Sequence, residues 1–296
     1  MPQNRHLKYV LHDSEFMQAA KKAQEECAGD SLFPVGIVLV RDGMVVARAG
    51  NGYNKGPGKP HVCPRVVLEC PSGTGYDLCS LHGSPGHAEP MLMKVAKEQG
   101  IDVEGADVYM YGHWWACEPC WKVLIDSGVR DLYVAEDAHE RFSRDVVYAK
   151  TLKSNLSSAY IAGVITNVPS DEFEDQKKLY EAFADVCEGL NIKACVPHLH
   201  NGENQKIQKD PRQVYEWSVG NVRNLEVTIA EVSYPSLGTG GEIEMASHHG
   251  RPVVLLSRKG RRVSSYTIGH PAVVYHVEYE DREDACRKLR NVLKQL

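Results

Sequence analysis

The sequence predicts two consecutive α/β domains, the second a doubly wound parallel sheet, and three observations carry that prediction. The chain has 296 residues, 43% of them hydrophobic and 25% charged, an ordinary globular composition long enough for two domains with separate cores. Short apolar runs rich in Val and Ile alternate with stretches of helical periodicity through both halves. Between the halves, TLKSNLSS (151–158) is polar, Ser-rich and without an apolar stripe, which divides the chain into domains 1–156 and 157–296.

From Asp13 to Cys27 the residues Phe16, Ala19, Ala20 and Ala23 recur at helical spacing behind an N-cap at Asp13 or Ser14, predicting a first helix. GIVLVRDG and MVVARAG meet at Asp42-Gly43, a strong hairpin signal, and so predict an antiparallel strand pair. Residues 50–86 are dense in Gly, Pro, Cys and His and read as a long functional loop or a metal-organised segment. A helix at 87–99, a strand at 107–111, a helix at 117–127 and a strand at 131–135 complete the first domain. The second offers a strand at 159–165, a helix at 172–188, a strand at 192–196, a helix at 211–223 and a strand at 225–232. A Gly-rich turn, a helix from about 240 to 249, strand PVVLLS, strand AVVYHV (272–277) and a helix from Arg282 follow. Such alternation places ligands at the carboxyl ends of the strands.

Lys plus Arg number 34 and Asp plus Glu 39, and the net charge of −5 argues against attachment to a nucleic-acid backbone and for a small-molecule partner. The first twenty residues hold no continuous apolar core, and the longest apolar stretches, such as GIVLV and PVVLL, have strand length, so neither an export signal nor a membrane span is expected. Nine cysteines, six of them before residue 151, imply ligand or catalytic roles in a reducing cytoplasm more than a disulfide framework.

His87-Ala88-Glu89 and, thirty residues later, Cys117-Glu118-Pro119-Cys120 form the most informative constellation. A helix starting at His87 presents an imidazole and one starting near Cys117 presents two thiolates, three ligands for a tetrahedral Zn2+ whose fourth position stays open. Water bound at that position is acidified to a pKa of about 7, and Glu89 is placed to shuttle its proton, which is hydrolytic deamination chemistry. A purely structural zinc clip is the competing reading, and it needs no carboxylate two residues after the histidine.

With H-x-E and C-x-x-C in place, residues 10–140 resemble the zinc-dependent deoxycytidylate deaminases. The resemblance extends through GYN (52–54), CPR (63–65) and PSGTGYDLC (71–79). It implies a cytidine-deaminase-like α/β/α sandwich, catalytic Glu89, zinc on His87, Cys117 and Cys120, and substrate contacts from Asn54, to the sugar, and Arg65. It also opens a second metal site at Cys63 and Cys79. Ala116 departs from the usual proline before the first thiolate, and Trp114-Trp115 stand where smaller residues are common, implying a pocket of different shape.

In the second half, strand LEVTIAEV runs into SYPSLGTGGEIE (233–244). Gly238, Gly240 and Gly241 let backbone amides approach a ligand, and a helix starting there offers a positive dipole end to a phosphate. Glu242 would then face the anomeric carbon of a sugar phosphate as nucleophile or oxocarbenium stabiliser, which describes N-glycosidic cleavage. A solvated first helical turn would also hold Glu242 and Glu244, since acids favour the dipole there.

Residues 159–260 resemble the nucleoside 2-deoxyribosyltransferases and their hydrolase branch, the 2'-deoxynucleoside 5'-phosphate N-hydrolases, through YIAG (160–163), PHLH (197–200), VYEWSV (214–219) and AEVSYPSLGTGGE (230–242). The resemblance implies a flavodoxin-like fold, Glu242 as catalytic glutamate, and substrate contacts from Tyr160, Gly163, Ser236, Gly238 and Gly240. Ser218 stands where the family carries an Asp that serves the leaving base, so either Glu216 or Glu231 substitutes or the domain binds without efficient cleavage. His198 and His200 read as hydrogen-bonding residues rather than ligands, and RKGRR (258–262) as a wet surface.

Together these features predict a cytoplasmic, bifunctional nucleotide-processing enzyme, deaminating a cytosine nucleotide of dCMP type, plain or modified at C5, and cleaving the glycosidic bond of a nucleoside monophosphate. Both resemblances imply a homo-oligomer acting on small molecules, with no nucleic-acid or membrane partner. The alternatives are a deaminase regulated by a non-catalytic nucleotide-binding module, for which Ser218 speaks, and an editor of polynucleotides, against which the net charge speaks.

Overall fold

The structure is a computed structural model in which residues 6–52, 61–71, 74–79, 83–165, 168–200 and 210–296 are described. It divides into two compact units, Met1–Gly58 with Cys70–Leu152, and Lys59–Glu69 with Lys153–Leu296.

The first unit contains β1 (Leu7–Val10), α1 (Glu15–Cys27), β2 (Gly36–Arg41) and β3 (Met44–Gly50). The next helix, α2 (Pro64–Val67), belongs to the second unit. The first unit resumes with α3 (Ala88–Glu98), β4 (Asp107–Tyr111), α4 (Glu118–Asp126), β5 (Asp131–Ala135), α5 (Ala138–Arg141) and α6 (Arg144–Thr151). Its sheet runs β1-β5-β4-β2-β3, with β1, β5 and β4 parallel, β2 antiparallel to β4, and β3 antiparallel to β2. The predicted hairpin forms at Asp42-Gly43, both with positive φ (50° and 74°), the conformation an Asp-Gly pair adopts at least cost. Ile37, Val38 and Leu39 are successive and all fully buried, so both faces of β2 are covered. Helix α1 supplies Met17, Ala20 and Ala23 to this core, and α3 supplies Leu92 and Ala96. Strand β1 was not expected from the sequence. It is a four-residue edge strand with both central residues exposed, too short for an apolar period to register.

The second unit continues with β6 (Ser158–Ala162), α7 (Phe173–Glu188), β7 (Lys193–Cys195), α8 (Pro197–His200), α9 (Pro211–Asn224) and β8 (Val227–Glu231). After these come α10 (Leu237–His248), β9 (Val253–Arg258), α11 (Ser265–Ile268), β10 (Val273–Tyr279) and α12 (Arg282–Leu293). All five strands are parallel in the order β10-β9-β8-β6-β7. Numbered within the unit this is 2-1-3-4-5, the flavodoxin-like doubly wound order. Successive strand residues go to opposite cores: Ala159, Ile161, Val254 and Leu256 join α7 and α12, while Tyr160, Ala162, Val253 and Leu255 join α9 and α10. The continuous apolar runs thus reflect burial on two faces.

Helix α10 corrects an expectation: it starts at Leu237, not near 240, so Gly238, Gly240 and Gly241 lie inside its first turns. The Ser236 side chain caps it by accepting the Thr239 N–H at 3.2 Å. The 61–69 segment is likewise integral to the second unit. Val62 and Val67 are buried in its core, the Cys63 N–H donates to Gln295 Oε1 (2.7 Å), and Arg287 and Asn291 of α12 reach Glu69.

The second unit therefore depends on a segment outside its contiguous sequence. Val67→Ala is expected to cost it about 2 kcal/mol. Two-probe denaturant unfolding checks this, with a tryptophan signal from the first unit expected to hold its midpoint.

Candidate functional site

In the first unit three side chains converge where two helices begin. His87 is the N-cap of α3, Cys117 is the N-cap of α4, and Cys120 lies in the first turn of α4. His87 Nδ1 stands 3.3 Å from Cys120 Sγ and 3.4 Å from Cys117 Sγ, and the sulfurs are 3.1 Å apart. Zinc–ligand bonds of about 2.3 Å to sulfur and 2.0–2.1 Å to nitrogen put tetrahedral ligand atoms roughly 3.4–3.8 Å apart. The three atoms therefore fit a zinc ion after a small expansion, and the soft N/S donor set suits it.

The electrostatics agree with that chemistry. The hydrogen bond between the sulfurs, with His87 beside them, pulls the Cys117 thiol down to about 4 and pushes that of Cys120 up, so the pair shares one proton that a cation would displace. Glu89, one residue into α3, is buried (4% exposed) and hydrogen-bonded to Cys120, and burial raises its carboxyl above the usual range. A proton acceptor with raised affinity thus lies against the ligand set.

Aromatic rings line the link from β4 to α4. The His113 ring stacks on Trp114 (5.8 Å, 14°), Trp114 meets His139 edge-on at 4.7 Å, and Phe33 lies 5.7 Å from His113. His113 Nδ1 accepts the Trp115 N–H at 3.1 Å, which leaves the proton of the neutral ring on Nε2. Burial lowers its pKa, and the His87 and Cys117 charges reach it. Sequence reasoning missed His113, although its position four residues before Cys117 could have flagged it. Trp114 and Trp115 are both more than a third exposed.

In the second unit the Tyr160 O–H donates to Glu242 Oε1 at 2.6 Å, and Ser218 Oγ lies 3.5 Å from the same phenol oxygen. Burial raises the Glu242 carboxyl to about 7, with the Tyr160 bond opposing it, while burial and then Glu242 raise the Tyr160 phenol. Cys195 Sγ sits 3.6 Å from Asn221 Oδ1, and burial and Glu242 push its thiol up to about 11. It too went unread in the sequence. A Cβ at Gly240 would meet nothing within 4 Å, and one at Gly238 only Ser236 Oγ at 3.7 Å, so the α10 backbone is open at each of these glycines among the described residues. Gly163 has another use: a Cβ there would fall 2.3 Å from the Tyr180 hydroxyl, so it seats the Tyr180 ring, whose O–H donates to Val164 O.

Neither proposed substitute for the missing aspartate is free. Glu216 is exposed and paired with Arg212 at 2.9 Å. Glu231 is 1% exposed and accepts from Gln176, Ser233 and Tyr279. His198 bonds Glu181 at 3.1 Å, in keeping with a hydrogen-bonding role. Arg65 is buried in the second unit; Cys63 lies in the second unit and Cys79 in the first, both buried. Asn54 lies outside the described residues. No described helix is long and apolar enough to cross a membrane.

Comparison with known proteins follows the same division. Residues 11–136 match the cytidine and deoxycytidylate deaminase zinc-binding region. A Thermofilum pendens protein named for 2'-deoxynucleoside 5'-phosphate N-hydrolase activity is 34% identical over 87 residues, 28% of this chain and 60% of its own length. A Methanosarcina mazei protein of the same name is 30% identical over 112 residues, 37% of this chain and 68% of its own. The solved Clostridium botulinum CMP N-glycosidase BcmB is similar at 19% identity, covering 45% of this chain and 97% of that one with a TM-score of 0.35. The chain belongs to the 2'-deoxynucleoside 5'-phosphate N-hydrolase family and carries, fused in the same polypeptide, a cytidine and deoxycytidylate deaminase zinc-binding region.

Two measurements check the sites. His87→Ala and Cys120→Ser should each lose one zinc equivalent by elemental analysis, and Glu89→Gln none. Because the folded Glu242 carboxyl titrates near 7, above its unfolded value, the folded state holds the extra proton, and stability falls as pH rises from about 4.5 through about 7. Glu242→Gln should remove that loss, so the variant unfolds at higher denaturant than the parent at pH 8 and not at pH 4.

Proposed function

We propose that the chain is a two-site nucleotide-processing enzyme. Its first unit would hydrolytically deaminate a cytosine deoxynucleoside monophosphate with zinc held by His87, Cys117 and Cys120. Its second would cleave the N-glycosidic bond of a nucleoside 5'-monophosphate. The observation that carries this reading is a pair of glutamates, Glu89 buried against the His-Cys-Cys triangle and Glu242 half-buried on the Tyr160 hydroxyl.

Zinc held there supplies an acidified water, with a pKa near 7, for attack on C4 of the base. Glu89 would take up the proton of the attacking water and return it to the base, so that water and the cytosine ring yield the uracil ring and ammonia. Its raised proton affinity suits both steps. His113 and Trp114 give the base a ring to lie against and an Nε2–H to face.

In the second unit the Glu242 carboxylate attacks C1' as the base departs, and water then releases the sugar phosphate from the ester. Tyr160 holds one carboxylate oxygen, leaving the other for the sugar. The open glycine face at the start of α10 receives the 5'-phosphate. Ser218 has no proton acidic enough for a departing base. That favours a base leaving as a delocalised anion, which uracil does better than cytosine, and so orders deamination before cleavage. Ser218 also supports a second reading, in which this unit binds nucleotide without turning it over.

Chromatography of the purified protein with dCMP and, separately, dUMP tests both readings. Free uracil should form from both substrates; Glu89→Gln should block only the path from dCMP, and Glu242→Gln should stop base release from either, by roughly 10²–10⁴-fold. Release from dUMP should fall below about pH 7 as Glu242 takes up its proton. Deoxyuridylate accumulating without free base would favour the binding module.

A further inference from the structure

We infer that Glu231 is a positioning residue for the glycosidic site: its carboxylate fixes the turn that receives the 5'-phosphate in register with Glu242. This rests on the proposed cleavage activity. Glu231 closes β8, and its Oε1 accepts the Ser233 N–H (3.1 Å), the Ser233 hydroxyl and the Tyr279 hydroxyl (3.0 Å). Its Oε2 accepts from Gln176 Nε2 at 2.8 Å. Four donors replace the water this buried carboxylate has lost. Ser233 is pinned from the other side as well, its Oγ accepting the Arg258 N–H at the end of β9 (2.8 Å). Three residues later Ser236 caps α10, so the clamp sits where the chain enters the glycine turn.

The same carboxylate reaches the other loop framing Glu242. The Gln176 amide, while donating to Glu231, also donates to Tyr180 Oη (3.0 Å), and Tyr180 donates to Val164 O (2.9 Å) just past Gly163. Tyr160, which holds Glu242, lies on the strand leading into that loop. One buried charge thus ties β8, β9, β10 and α7 to both loops. The turn it holds awaits a ligand: Thr239 Oγ1, in the first turn of α10, is buried without a partner among the described residues, and the residue is 4% exposed. With all four contacts taken, neither oxygen of Glu231 is left to face a base.

The test compares Glu231→Gln and Ser233→Ala with the parent, using dUMP as substrate and inorganic phosphate as competing ligand, and the far-UV circular dichroism and denaturant midpoint of the second unit as the measure of folded protein. Both variants should raise KM for dUMP and weaken phosphate inhibition together, by roughly tenfold or more, with kcat held within about threefold. Tyr279→Phe, which removes one donor, should move the same way by less. A fall in kcat at constant KM would make Glu231 a catalytic acid and overturn the inference, as would unchanged KM and phosphate affinity in folded Ser233→Ala. If Glu231→Gln does not fold, Ser233→Ala and Tyr279→Phe decide. Parent protein that binds phosphate but releases no base would overturn the cleavage reading and leave this inference to the phosphate affinities; parent protein that binds no phosphate overturns both.

Discussion

Each unit sets one glutamate in the first two turns of a helix, Glu89 buried and Glu242 half-buried, with no Arg or Lys paired to it among the described residues, and that desolvation is the constraint around which both sites are arranged. A buried carboxyl loses its hydration and holds its proton more tightly. Glu89 recovers part of the loss from a hydrogen bond to Cys120 and the charge on His87, and Glu242 from the Tyr160 hydroxyl. The offset is partial in both, so the Glu89 carboxyl stays above its usual range and that of Glu242 is raised to about 7. Full pairing with Arg or Lys would have held either group permanently ionised. Burial raises the Glu231 carboxyl as well, but both of its oxygens are occupied by four donors, and it serves architecture.

Topology supplies the convergence that makes such burial feasible. In the second unit every strand points the same way, so the exits of β6, β8 and β9 and the start of α10 gather along one edge, on either side of the switch between β6 and β8. The first unit is mixed. Its antiparallel hairpin completes the sheet, but the candidate metal ligands still come from helix starts, with α4 following the parallel strand β4. Helix N-termini stabilise thiolate and carboxylate alike, and caps such as Cys117 and His87 stand where side chains point past the helix end.

The hairpin, the helices α1, α3, α4, α7, α9 and α12 and the alternation of the second half were readable in the sequence because each is written in neighbouring residues. The spacing of His87, Cys117 and Cys120 likewise foretold that their ligand atoms meet, with Glu89 beside them, and the glycine turn marked Glu242 as a candidate. What escaped has a non-local cause. Strand β1 exists because β5 offers it an edge, and nothing in LKYV alone requires that. The 61–69 segment belongs to the second core through Val62 and Val67, partners more than 200 residues away in α12. Glu231 looked like a spare acid until Tyr279 and Gln176, remote in sequence, were found to occupy it.

The start of α10 shows how far local propensity can be overruled. Gly238, Gly240 and Gly241 each disfavour a helix by about 1 kcal/mol relative to alanine, so propensity alone pushes the helix start beyond them. The Ser236 cap returns about 1 kcal/mol, and Ile243 and Ala246 dock the following turns into the core. The helix therefore forms over its glycines, and their missing side chains leave the backbone bare where an anion would meet it. An alanine-rich first turn would be the steadier helix, but its methyl groups would stand over that face. The glycines trade helix stability for access, and the Glu231 clamp at the other end of the turn restrains the chain that the glycines leave loose.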